Sequence, residues 1–381
     1  LAILTHAAVS DDTRFLVDTI APSEPVVTLN TDTALTTDFQ TSNGQLDVSR
    51  LEVGATWEYS LDRGVTWHAG NGGNPVAVTT DSFVAPAGNY VAGDVRVRQT
   101  DAAGQISGEG VLSHPSSLAG VDGAFWDAYP DVLALPDGGY VVAWYGQTAS
   151  GLTSDIFIQR YDSASVAVGS THQLSGMSGN GYDADPQLAA FADGSYVVTW
   201  VGDTSDGQNY DLFVQRYDNT DVAVGSTTRL SGVSGDYKAW TPQVVTLLDG
   251  GYVVTWDEEN TDGKDDIFVQ RFDSAGGLVG SVITLGGMNG SWDTMPQIAT
   301  LSDGGYVVTW YNVNPQRVYE SMLQRYDSAN APVGSTISLA AGYNPLVTAM
   351  NDGGYIVAWQ GEAANGYDEV FVQRYDSANA T

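Results

Sequence analysis

Five segments of the chain set an aromatic ring beside an acid or an amide just ahead of a proline. They are Trp126-Asp127 before Pro130, Tyr182-Asp183 before Pro186, Tyr237 with Trp240 before Pro242, Trp292-Asp293 before Pro296, and Tyr343-Asn344 before Pro345. A ring of this kind can stack on the apolar face of a sugar, and a neighbouring carboxylate or amide can accept its hydroxyl hydrogen bonds. The pattern therefore predicts a carbohydrate site. The competing reading is packing, since rings of this size also fill gaps between sheets. Tyr129, Trp240 and Tyr311 break the repeat and are expected to be exposed. The predicted ligand set is Trp126, Asp127, Tyr129, Tyr182, Asp183, Tyr237, Trp240, Trp292, Asp293, Tyr311 and Tyr343.

Two loops are rich in oxygen ligands and carry a glycine for the turn: Asp203-x-x-Asp206-Gly-x-x-x-Asp211, and Asp257-Glu-Glu-Asn-x-Asp262-Gly-x-Asp265. Calcium takes 6–8 oxygen ligands, so Asp203, Asp206, Asp211, Asp257 and Asp262 are candidate ligands, although neither loop has EF-hand spacing. Covalent and acid–base chemistry has less support. The chain has no cysteine, and its four histidines, His6, His68, His114 and His172, stand in no triad-like context. Asp127, Asp183 and Asp293 resemble the channel carboxylates of a glycosidase, but they recur at equivalent positions, whereas a catalytic acid and base need different environments. No catalytic residue is assigned, and a repeated site suits binding.

The 381 residues carry 46 acids and 14 bases, a net charge of −32, with only two lysines, Lys238 and Lys264. Such a surface repels nucleic acid and anionic lipid. No apolar run approaches the length of roughly 20 residues needed to span a bilayer as a helix. Absent cysteine leaves the redox compartment open.

These residues are positioned by a repeat. Asp137-Gly-Gly-Tyr-Val-Val-Ala-Trp144 returns at Asp193–Trp200, Asp249–Trp256, Asp303–Trp310 and Asp352–Trp359, at spacings of 56, 56, 54 and 49 residues. A period of this length marks a propeller or solenoid. In the second copy, residues 186–191, 196–200, 212–217 and 224–230 read as strands a to d, with Asp193-Gly194 as a hairpin turn. Four antiparallel strands per repeat make a propeller blade. The a–b and c–d turns share one edge and hardly vary, whereas the d–a and b–c loops share the other and differ from copy to copy. The variable edge is the expected site. The strand-b Trp and Tyr are expected in the core, and the strand-c arginines, Arg160, Arg216, Arg271, Arg325 and Arg374, are expected to pair with carboxylates between blades. The fifth copy lacks strand d, and residues 111–120 match it, which predicts five blades closed by an N-terminal strand.

Residues 1–20 read as the end of a preceding module and a proline-punctuated linker, and residues 21–110 as a β-sandwich of immunoglobulin type. The string Trp57-Glu-Tyr-Ser-Leu-Asp-Arg-Gly-Val-Thr-Trp67, with Asp94–Gly104, resembles the bacterial Ig-like modules strung along giant RTX-type adhesins. Ser60-Leu-Asp-Arg-Gly-Val-Thr-Trp67 is also similar to the sialidase Asp-box, a hairpin-shaping device without a catalytic role. The propeller repeats resemble those of very large secreted bacterial proteins, often RTX adhesins. The resemblance implies a piece of a longer, multidomain extracellular or cell-surface chain, with structural Ca2+ at the Ig-like module through Asp18, Asp32 or Asp101.

The expectation is thus an all-β protein: an Ig-like spacer, then a five-bladed propeller over residues 111–381. Its expected function is glycan binding on a host or biofilm surface, without enzymatic activity. The alternatives are a propeller glycosidase and a protein-binding or structural propeller. Unique acids converging on the channel favour the enzyme, and equivalent pockets between blades favour the lectin.

Overall fold

The computed structural model describes residues 18–31, 41–88, 90, 93–112, 127–147, 153–163, 165–175, 181–203, 209–230, 238–261, 263–286, 290–363 and 366–381. The chain divides into two compact units, Leu1–Ser117 with Ala164–Val166, and Leu118–Ser163 with Ala167–Thr381.

The first unit has strands β1 (Val26–Leu29), β2 (Gln45–Ser49), β3 (Thr56–Ser60), β4 (His68–Ala69), β5 (Thr80–Val84), β6 (Arg96–Thr100) and β7 (Gly110–Val111). They form two antiparallel sheets, β1-β2-β5 and β4-β3-β6-β7. Their alternating apolar residues, among them Val27, Val48, Trp57, Phe83 and Val97, meet in one core, as a period of two requires of a half-buried strand. Gln99, fully buried, is satisfied on all sides: its amide donates to the Ser23 and Arg50 carbonyls, and its oxygen accepts the Glu52 N–H. The Asp-box folds as a local device. Asp62 accepts the Thr66 N–H at 2.8 Å and the Thr66 hydroxyl at 2.6 Å, and these bonds hold its carboxyl at about 2. Val111, expected to open the closing strand of the propeller, instead ends β7 opposite Arg96. Residues 113–120, and with them the rest of that strand, lie outside the described residues.

The second unit is built of successive antiparallel sheets, consistent with a β-propeller. The first holds β8 (Asp127–Ala134), β9 (Tyr140–Gln147), β10 (Ser154–Tyr161) and β11 (Ala167–Leu174); the second holds β12 (Ala184–Ala190), β13 (Tyr196–Asp203), β14 (Tyr210–Tyr217) and β15 (Ala223–Leu230). The third holds β16 (Ala239–Thr246), β17 (Tyr252–Glu259), β18 (Asp265–Phe272) and β19 (Leu278–Leu285); the fourth holds β20 (Trp292–Thr300), β21 (Tyr306–Val313), β22 (Tyr319–Tyr326) and β23 (Pro332–Ala341). The last described sheet has three strands, β24 (Tyr343–Ala349), β25 (Tyr355–Glu362) and β26 (Asp368–Tyr375). The leading strands β8, β12, β16, β20 and β24 lie beside one another in that order.

The repeat explains this regularity. In each Asp-Gly-Gly turn the carboxylate accepts the N–H two residues on, for example Gly251 N–H on Asp249 at 2.9 Å, and the middle glycine sits at positive φ (Gly250, +82°). Behind the turn the strand-b rings other than the half-buried Tyr140 are buried, with Tyr196, Trp200, Trp256 and Tyr306 at most 1% exposed. Burying a side chain of this size is worth about 2–3 kcal/mol. Each stacks on a strand-c ring of its own sheet, as Tyr196 does on Tyr217 at 5.1 Å and Trp200 on Phe213 at 5.6 Å.

The strand-c arginines pair differently from the expectation. Arg160 donates to Asp137 of its own sheet at 2.7 Å and to the Asn219 carbonyl of the next sheet at 2.5 Å. Arg271 likewise joins Asp249 at 2.6 Å and the Ser328 carbonyl at 2.5 Å. The ion pair lies within a sheet, and a backbone carbonyl makes the link between sheets. A guanidinium fork is long enough to do both.

Candidate active site

Each leading strand carries a bulge at its proline. Register shifts fall between Ala128 and Asp131, Ala184 and Gln187, Trp240 and Gln243, Thr294 and Gln297, and Tyr343 and Leu346. The residue before each proline has positive φ: Tyr129 at +47°, Asp185 at +52°, Thr241 at +42°, Met295 at +51° and Asn344 at +53°. Proline disfavours the α region for the residue before it, and a side chain at positive φ is strained. A bulge re-aims the side chain at the kink. Four of these five residues, Tyr129, Asp185, Thr241 and Met295, line a cavity of about 390 Å³ together with Gln187, Gln243 and Gln297. The bulge is common to all copies, but the side chain it presents differs in each.

Two carboxylates break the repeat here. Asp185 lines the cavity, and burial raises its pKa with no hydrogen bond set against the rise. Asp131 stands in the first sheet where Gln187, Gln243 and Gln297 stand in the next three. Burial raises its pKa as well, but the N–H groups of Leu188 (2.7 Å) and Val132 (2.9 Å) oppose the rise. Because Asp131 binds Leu188, three residues beyond Asp185, both acids belong to the meeting of β8 and β12. Burial raises the pKa of both acids, and of the two only Asp131 has backbone N–H groups that stabilise its carboxylate.

The predicted ligand residues scatter. Trp126 and Tyr237 lie outside the described residues. Asp183 and Asp293 are 2% and 1% exposed. Asp293 accepts the Trp310 indole N–H at 2.9 Å and the Asn312 amide at 2.8 Å, so it serves the sheet. Asp127 is exposed and lies over Gly146, where an added Cβ would meet its carboxylate at 2.3 Å. Tyr129 is 68% exposed, Tyr182 42% and Trp240 37%, and they join one run of rings through Tyr145 and Tyr210. Trp292 lies under the Lys264 ammonium, 2.9 Å from its ring centre. Tyr311 and Tyr343 meet through Tyr319, at 6.2 and 5.7 Å. Asp131, Asp185, Tyr145 and Tyr210 were missed. Aligning the copies on their prolines and reading the positions that differ would have found the two acids.

Of the five described candidate calcium ligands, four are hydrogen-bonded or ion-paired within the chain. Asp101 accepts the Ala103 and Gln105 N–H groups, Asp18 the Ile20 N–H, Asp211 pairs with Arg229, and Asp257 takes the hydroxyls of Thr241 and Thr294. Asp203 is buried, 5% exposed. Asp32, Asp206 and Asp262 lie outside the described residues. Among the described residues no three His, Asp or Glu side chains form a group that could hold a metal ion.

No family model matches the sequence, and no curated protein matches it. The fold is similar to solved structures. An α-L-arabinanase of Penicillium chrysogenum, complexed with arabinobiose, matches at a TM-score of 0.45 and 12% identity, over 64% of this chain and 80% of its own. The GH93 α-L-arabinofuranosidase of Fusarium graminearum matches at 0.44 and 13%, over 67% and 82%. A protein of unknown function from Dyadobacter fermentans matches at 0.42 and 11%, over 92% and 93%. Likeness at this level concerns the path of the chain. The leading expectation, a glycan-binding adhesin without enzymatic activity, is nevertheless corrected: the solved structures of known activity named here are glycosidases. At the cavity the acidic lining residue, Asp185, stands where the other copies have Tyr129, Thr241, Met295 and Asn344.

Proposed function

We propose that the second unit is a carbohydrate-active enzyme that hydrolyses glycosidic bonds at the cavity beside β8 and β12. The observation that carries this reading is the pair of unequal, burial-shifted carboxylates, Asp185 and Asp131, at positions where the other sheets hold no acid. Glycoside hydrolysis needs two carboxyl groups in different states. Asp185, protonated, hands its proton to the departing glycosidic oxygen. Asp131, ionised, takes the proton of the water that replaces it. Exchange with solvent then resets both groups.

The wider proposal takes this unit as a five-bladed propeller closed by an N-terminal strand. It takes the first unit as an Ig-like module, and the whole as part of a large secreted bacterial chain of RTX type. The sequence resemblance supports these points.

The test is reducing-sugar release from a panel of aryl glycosides and polysaccharides by the full chain and by Asp185→Asn. Release by the wild type that the variant loses supports the proposal. A wild type that cleaves nothing in the panel, or a variant with undiminished activity, overturns it.

A further inference from the structure

The rings that leave the cavity form a continuous path. Tyr129, at the cavity wall, stacks on Tyr145 with centroids 5.6 Å apart and planes at 20°. Tyr145 meets Tyr182 at 5.9 Å, Tyr182 meets Tyr210 at 6.3 Å, and Tyr210 meets Trp240 at 5.3 Å. The path crosses from the first sheet to the third. It is exposed at Tyr129, Tyr182 and Trp240, while Tyr145 is buried beneath it at 9%.

The backbone holds this path in place. Tyr182 bridges to Ser154 of the first sheet, and Lys238 bridges to Tyr210 of the second. Around the first bridge, Ser154 donates its N–H to the Gly181 carbonyl at 3.1 Å and its hydroxyl to the Asp183 carbonyl at 3.0 Å, and Asp183 N–H returns to the Ser154 carbonyl at 3.0 Å. The spacing of the exposed rings is therefore set by sheet-to-sheet hydrogen bonds and not by loose loops. Packing alone does not account for three rings of the run, Tyr129, Tyr182 and Trp240, left 37–68% exposed. An exposed aromatic path on a rigid backbone suits a ligand that presents flat apolar faces at intervals.

Charge narrows the ligand. The same edge of the third sheet carries Glu259 and Asp265 half-buried, with Asp257, Glu258 and Asp266 buried behind them and Lys238 and Lys264 beside them, in a chain whose net charge is −32. A polyanion approaching this edge meets repulsion of its own sign.

We infer that the run Tyr129, Tyr145, Tyr182, Tyr210 and Trp240 is a substrate track that seats an extended, neutral polysaccharide with one end at the cavity. The inference rests on the hydrolase reading for what happens at the cavity, but the track is tested by binding alone. It makes the substrate a polymer spanning three sheets, where the cavity by itself would take one or two sugar units.

The experiment is affinity electrophoresis of the full chain through gels holding β-glucan, xylan, mannan, arabinan or polygalacturonate. The Asp185→Asn background prevents cleavage during the run. Retardation by at least one neutral polymer is expected, with none by polygalacturonate. Trp240→Ala and Tyr182→Ala weaken it about fivefold to tenfold each, whereas Trp240→Phe and Tyr182→Phe keep the ring and most of the affinity. Unchanged thermal midpoints separate lost stacking from lost folding, and the Phe variants decide the matter should an Ala variant unfold. The track is overturned if no neutral polymer retards the protein, or if retardation survives loss of both rings. Cleavage of aryl glycosides by the wild type reports on the cavity separately. A failed track with aryl-glycoside cleavage intact leaves the hydrolase standing, and retardation without any cleavage leaves the track standing.

Discussion

The two edges of the repeated sheets are made by the same strands, yet they do different things. At the turn edge four of the five copies are the same: Asp137, Asp249, Asp303 and Asp352 each cap their own Asp-Gly-Gly turn and pair with Arg160, Arg271, Arg325 and Arg374. In the second copy Asp193 caps its turn while Arg216 lies over the Phe191 ring. At the cavity edge the kinked residue is Tyr129, Asp185, Thr241, Met295 or Asn344, with no two alike. The first edge solves one folding problem in every copy, so one answer recurs. The second shares only its bulge, and once the backbone is fixed the side chain is free to be chosen for chemistry.

If this division is right, substitutions at the two edges separate activity from stability. The largest effect is expected from Asp185→Asn. It removes a general acid, and kcat/KM falls about 100-fold or more with the thermal midpoint unchanged. The wild-type activity should fall as pH rises through the raised pKa of Asp185, since the protonated acid is the working form. A pH–rate profile with no alkaline limb would break the comparison on the cavity side.

At the turn edge, Arg271→Ala should cost about 2 kcal/mol of stability, because a guanidinium 8% exposed is lost together with its bonds to Asp249 and Ser328. The equivalent Arg374→Ala, at a side chain 60% exposed, should cost about 0.5 kcal/mol or less. Chemical denaturation of both variants measures the difference, and equal costs would show that the link from one sheet to the next contributes nothing. Neither variant should change kcat.

A smaller effect lies at the cavity edge of the third sheet. Burial and the nearby Asp257, Glu259 and Asp266 push Asp265 up to about 6 from its ordinary 3.8. The folded protein therefore binds this proton more tightly than the unfolded chain. The associated stability is fully present below about 3.8 and is lost as pH rises through about 6. Asp265→Asn should raise stability at pH 7 by about 1 kcal/mol once solvent screening is allowed for, and by less at pH 5. Thermal melts at the two pH values check this, and a gain that is equal at both would remove the charge explanation.

The sequence by itself determined the repeat, the strands within it, the Asp-Gly turns and the buried strand-b rings. Each follows from residues close together in the chain: a carboxylate two residues from the N–H it accepts, or apolar side chains at a period of two. Which acids face the cavity was decided by the tertiary structure. Asp183 and Asp185 are two apart and in an unbroken strand would share a face. The bulge at Asp185 separates them, so that Asp183 is buried at 2% while Asp185 lines the cavity. The repeated aromatic–Asp pairs were the conspicuous signal for the same reason that they largely serve the sheets: what recurs in several copies answers a need that recurs. Asp131 and the path from Tyr129 to Trp240 exist only where neighbouring sheets meet. Residues about 50 apart in sequence come within hydrogen-bond reach there, as Asp131 does with Leu188 at 2.7 Å, and no pattern along one strand encodes that meeting.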